Sequence, residues 1–241
     1  MFGSLRPTVW LFAALALALV AIKLVFDFYP GAFPVKEQAA AFTFPLIGAV
    51  VLVAFLGLLA DRGAGLPEPF GDLTREKKSS VVAVASGAIY GLITIGYFVW
   101  ETRQAPINAG DWDHLALPWS IPFYAFGAIL LEFMLRLGVL CILFWLVHVL
   151  LLRGRLRAVI FFSLAGIVAL YEVWPTMSAD LSDGRWDDAL LALVGPLYLS
   201  NVFEGWLLWR YGWFSPIVFR LAFYSVWHLA FGGLAIGLYA N

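Results

Sequence analysis

The chain has 241 residues, of which 63% are hydrophobic and 13% charged, whereas a soluble domain carries about a quarter charged residues. A soluble core cannot enclose that much apolar surface, so a membrane-embedded chain is expected and an ordinary soluble domain is excluded. A formal net charge of −1 and the lack of a long basic tract exclude a nucleic-acid binder and leave membrane lipid as the first expected partner.

A helical span needs about 20 mostly apolar residues, because each adds about 1.5 Å across a hydrocarbon core of about 30 Å. Seven segments meet this: 8–28, 41–60, 80–100, 121–152, 158–174, 189–209 and 213–240. The predicted fold class is therefore all-α, a polytopic transmembrane helical bundle of about seven spans, with residues 1–241 forming a single integral membrane domain.

The first segment follows Arg6 and contains Ala14-Leu15-Ala16, which loosely resembles a signal cleavage site; its length and the spans that follow favour a transmembrane helix. Lys23 and Asp27, four residues apart near its end, can pair and reach the interface. The fourth segment is too long for one upright helix. It must tilt, bend or break near Glu132 to Gly138, which leaves the count at seven or eight. The fifth is expected to end at Trp174-Pro175. Pro45, Gly87, Gly127, Gly195 and Pro196 are read as sites of kinks or close packing inside helices. Trp100, Trp112, Trp119, Trp186, Trp209, Tyr211 and Trp213 lie near segment ends, where the water interface favours amphipathic rings.

Basic residues concentrate in two connections, one holding Arg62, Arg75, Lys77 and Lys78, the other Arg153, Arg155 and Arg157. Both are expected on the cytoplasmic side. Connections near Lys36, Arg103 and Arg185 carry the acids Glu37, Glu101, Asp111, Asp113, Asp180, Asp183, Asp187 and Asp188 and are expected outside. With seven spans the two sets alternate, which puts the N-terminus in the cytoplasm and Asn241 outside. The lack of an organelle address points to a prokaryotic plasma membrane.

A charge near the bilayer centre costs at least about 2.5–3.5 kcal/mol, so each needs a partner, a wet cavity or a function. Glu132 and Arg136 share one helix face at a spacing of four. Glu172 lies near the end of the fifth segment, where an interfacial position is also open to it, and Glu204 lies in the sixth, with Tyr171 and Asn201 close by. Arg220, Tyr224 and His228 recur every four residues along the last segment and draw a polar stripe that must face other helices. The simplest role of Arg220 is to pair with Glu132 or Glu204. His148 stands on an apolar face, His114 in a connection, and Cys141 reads as a small packing residue.

The stretch Gly127-Ala128-Ile129-Leu130-Leu131-Glu132-Phe133-Met134-Leu135-Arg136 resembles the first motif of the CPBP family, which includes CAAX prenyl endopeptidases and bacteriocin-immunity-type membrane proteases. That motif is two adjacent glutamates, three residues and an arginine. Gly205-Trp206-Leu207-Leu208-Trp209-Arg210-Tyr211-Gly212-Trp213-Phe214-Ser215-Pro216 resembles the approach to the family's last motif, so the resemblance covers about residues 120–232. It implies a bundle in which a glutamate and histidines from separate helices activate a water, with a metal in some members. This chain departs from the pattern. Leu131 replaces the first glutamate, Ala169 and Val173 fall where Phe-x-x-x-His is expected, and Arg220 and Tyr224 fall where His-x-x-x-Asn is expected. Leucine, valine and arginine cannot serve there as base or metal ligand.

Three readings follow. The preferred one is a CPBP-like protein without the usual protease activity, in which Arg136, Glu172, Glu204, Arg220 and Tyr224 form a structural or substrate-binding polar cluster. Its partners would be other membrane proteins or membrane-anchored peptides, with no cofactor and no metal ligands. The second is an active endopeptidase with a rearranged site in which Glu132 and His228 are catalytic, aided by Glu172 or Glu204; only this reading calls for zinc. The third is a transporter or accessory membrane subunit, although no inverted repeat marks a transporter.

Overall fold

A computed structural model describes residues 5–29, 42–69, 73–104, 115, 117–182, 184, 186 and 196–233. All regular structure among them is helical. Lipid offers no hydrogen bonds, so a chain this apolar must satisfy its backbone within each segment, and the helix does so. The helices are α1 Leu5–Phe28, α2 Phe44–Gly63, α3 Leu73–Gln104, α4 Ser120–Leu151, α5 Arg157–Ser182, α6 Pro196–Tyr211 and α7 Phe214–Phe231. Every one of these except α6 contains a stretch long and apolar enough to cross a membrane. The chain is an integral membrane protein, a polytopic all-α bundle. Helix α6 has 16 residues and overlaps the expected span 189–209 from Pro196 on, and residues 187–195 lie outside the described residues.

Several boundaries differ from the sequence reading, for local reasons. Helix α3 begins at Leu73, because Glu76, Lys77 and Lys78 are good helix formers and can turn outside the apolar stretch. Helix α5 runs through Pro175 to Ser182. Pro45 and Pro196 fall in the first turns of α2 and α6, where a missing N–H costs nothing, so neither kinks a helix. The long fourth segment is one unbroken helix, but from Phe133 to Leu140 and again from Trp145 to Leu151 its backbone is π-helical. The Cys141 amide, for example, bonds both Arg136 O and Gly138 O. The irregularity lies where a bend or break is expected, and the chain crosses it without a break.

The connections holding Lys36, Glu37, Asp111, Asp113, His114, Asp183, Arg185, Asp187 and Asp188 lie outside the described residues, as does Trp112. Two of the rings expected near segment ends pack inside the protein. Trp213 and Tyr211 are buried, Trp213 packing edge-on to Phe133 at 6.3 Å between ring centroids. Gly212, at φ +95°, makes the turn that folds them inward; its backbone lies so close to Pro67 that a Cβ would stand 2.3 Å from the Pro67 carbonyl oxygen.

The chain divides into two compact units. The first draws on residues 1–51, 80–131 and 217–241. Its aromatic core includes Phe26 against Phe126 at 5.5 Å and Tyr90 against Phe223 at 4.7 Å. Gly87 of α3 allows α7 to approach until a Cβ there would stand 2.3 Å from Phe219 O. Lys23 pairs with Asp27 and lies over the Phe44 ring. The second unit draws on residues 52–79 and 132–216. Two close crossings shape it. A Cβ on Gly57 of α2 would fall 1.7 Å from Leu137 O, and one on Gly205 of α6 would fall 2.9 Å from the Ala165 Cβ of α5. Helices this close leave room between them only for side chains that satisfy one another.

Candidate functional site

Within the second unit, α4 carries Glu132 and Arg136, α5 carries Glu172, and α6 carries Asn201 and Glu204. Arg136 is the centre of the group, with only 2% of its side chain exposed. Its Nη1 donates to Glu172 Oε2 and lies 3.8 Å from Glu132 Oε1. Its Nη2 lies 2.5 Å from Glu204 Oε2 and donates to Asn201 Oδ1 at 2.5 Å. A planar guanidinium is the side chain suited to this task, because its donors fan out in fixed directions toward several acceptors at once.

The acceptors are placed by their helices. Asn201 and Glu204 are three residues apart and so share one face of α6. The Asn201 amide nitrogen donates to Leu197 O at 3.0 Å, one turn back, which turns its carbonyl oxygen toward Arg136. Glu132 precedes Arg136 by one turn, where the regular helix gives way to the π-helical stretch. Such stretches are frequent at functional sites, since the extra residue per turn re-aims side chains. Glu132 and Glu204 are buried, while the Glu172 side chain keeps 14% of its surface.

Glu172 reaches inward to Arg136, while its neighbour Tyr171 is exposed. Arg220, Tyr224 and His228 belong to the first unit. Arg220 is buried, and His228 stacks on Tyr124 with centroids 3.8 Å apart at 12°, with Tyr224 edge-on at 5.0 Å. His148, in the second unit, stacks on Phe144 at 4.9 Å, and its Nδ1 lies 3.2 Å from Arg155 O, so it does not stand alone on an apolar face.

Asp61 escaped the sequence reading because it falls one residue past the apolar segment. It is buried at the end of α2, and the Cys141 thiol points to its Oδ1 at 3.9 Å. The only signal for it was an acid directly abutting an apolar run. Among the described residues no group of three or more His, Cys, Asp or Glu side chains is arranged to hold a metal ion. The three glutamates that do converge meet on a guanidinium.

Comparison of the chain with protein-family models, with curated proteins and with solved structures finds no match.

Proposed function

We infer that the chain is a CPBP-like membrane protein that acts by binding partners within the membrane and does not cleave peptides by the family's usual route. The observation that carries this reading is the placement of Arg136, which pairs closely with Glu172 and Glu204 and stands 3.8 Å from Glu132 Oε1. A general base must present a free lone pair to its water, and a metal must be met by carboxylates not already held by a cation. Here the guanidinium holds Glu172 and Glu204 where a metal would need them, and the departures at Leu131, Ala169, Val173, Arg220 and Tyr224 remove the other groups that such chemistry needs. A cluster of this kind joins α4, α5 and α6 and leaves apolar outer faces, such as Val81, Val84, Leu92 and Ile93 on α3, for lipid or for membrane-embedded partners.

The test uses purified protein, assayed for bound metal and for cleavage of membrane-anchored peptides. Background cleavage that Glu132→Gln leaves unchanged, with metal far below one equivalent, is expected. Cleavage by the native protein that Glu132→Gln abolishes would overturn this reading in favour of a rearranged Glu132 and His228 site.

One observation favours a second reading. The Glu172 side chain is the part of the cluster that keeps exposed surface, as the entry point of a proton or solute path would. Proton-coupled uptake by reconstituted vesicles, lost on Glu172→Gln, would support transport.

A further inference from the structure

At one end of the second unit three connections, far apart in sequence, come together. Arg157 donates from Nη2 to Gly65 O at 2.7 Å and lies 5.0 Å from the Trp209 ring; Gly212 abuts Pro67; Ser79 and Ser215 share a hydrogen bond at 2.5 Å. The segments concerned are the ends of spans, so they lie at headgroup depth. They carry Arg62, Arg75, Lys77, Lys78, Arg153, Arg155, Arg157 and Arg210 against the acids Asp61, Glu68 and Glu76. The sequence places most of these cations on one side of the membrane but gives no hint of a fixed loop among them.

That loop, residues 64–69, is held by its backbone. Gly65 N donates to Arg62 O at 3.0 Å and Leu66 N to Asp61 O at 3.1 Å, while Arg75 Nη2 donates to Glu68 O at 3.2 Å. Within this frame Arg62 and Glu68 face each other without closing: Nε stands 3.6 Å from Oε1. Arg62 Nε and Nη2 and Glu68 Oε2 are shielded from solvent and have no hydrogen-bond partner among the described residues. Buried donors and an acceptor left unmet are costly, and a ligand that supplies both complements is favoured there.

We propose that Arg62 and Glu68 form a site for a phospholipid headgroup, in which the phosphate accepts from Arg62 and a donor beyond the phosphate bonds Glu68. A glycerol hydroxyl or an ammonium provides that donor; a choline headgroup has none. The surrounding cations favour an anionic lipid, so phosphatidylglycerol fits best. The positive-inside expectation for these connections puts the site on the leaflet where anionic lipid concentrates.

Native mass spectrometry of the full-length protein in detergent, offered phosphatidylglycerol, phosphatidylethanolamine and phosphatidylcholine in equal amounts, tests this. Occupancy is expected to fall in that order. Arg62→Gln should lower phosphatidylglycerol binding about tenfold, the worth of one charge-assisted contact. The double variant Lys77→Gln, Lys78→Gln, which removes exposed charges from the same end, should lower it less. Arg62→Lys keeps the charge without the planar fork and should also lose the preference for phosphatidylglycerol, which covers the case in which Arg62→Gln does not fold. Equal binding of phosphatidylcholine, a loss at Arg62 no greater than at the lysines, or full displacement by inorganic phosphate would overturn the proposal, the last because the occupant would then be a soluble phosphate.

Discussion

Arg136 presents several N–H donors in one plane, and around it Glu132, Glu172, Glu204 and the Asn201 amide are grouped as acceptors. Removing the guanidinium leaves buried carboxylates facing one another. Arg136→Leu should therefore cost about 3–5 kcal/mol, the usual consequence of stripping one partner from a buried ion cluster. Arg136→Lys, with three donors on a point charge, should cost about 1–3 kcal/mol. Unfolding of the purified protein in detergent measures both, and an unchanged midpoint for Arg136→Leu would show that the cluster holds nothing together. Part of this group is legible in sequence. A spacing of four aligns Glu132 with Arg136, and Glu172 and Glu204 stand out as acids in apolar runs. That Glu204 meets Arg136 is not legible: the sequence offers Arg220 as its cation, and only the placement of α6 against α4 puts Arg136 within 2.5 Å.

Helices reach these positions because glycines let backbones touch. At Gly57 a Cβ would fall 1.7 Å from Leu137 O, a backbone atom that no side-chain rotation can move. Gly57→Ala must push α2 off the π-helical stretch that presents Arg136, at a cost of about 1–3 kcal/mol or more by analogy with overpacked cores. Gly48, on the same helix, has nothing within 4 Å of its would-be Cβ. Gly48→Ala should be neutral or stabilising by up to about 1 kcal/mol. Thermal unfolding of the two variants side by side checks the contrast, and equal effects would count against a close crossing at Gly57. The sequence offers Gly127 as a packing glycine as readily as Gly87, yet a Cβ on Gly127 would meet nothing within 4 Å among the described residues while Gly87 touches α7. Residue type alone cannot separate them, because the difference lies in which neighbour arrives.

At the scale of the whole molecule, the alternation of basic and acidic connections predicts an arrangement in the membrane. Arg153→Cys, in a Cys141→Ala background, should react with an impermeant maleimide from the cytoplasmic side only, and Asp111→Cys from the opposite side only. Labelling of both from one side would refute the seven-span alternation. Membrane character and the approximate course of most spans follow from the sequence by itself, because insertion depends on a sum of transfer free energies over about 20 consecutive residues, and such a sum is local. Helix ends are less legible: α3 and α5 extend past their apolar stretches, since hydrogen bonding continues wherever the backbone permits. Only the tertiary structure decided that three glutamates and an asparagine surround Arg136, that Trp213 turns inward, and that Arg75 and Arg157 hold the loop that sets Glu68 beside Arg62. Each of these depends on which helix faces meet. That is set by close contacts between residues far apart in the chain, which no local period records.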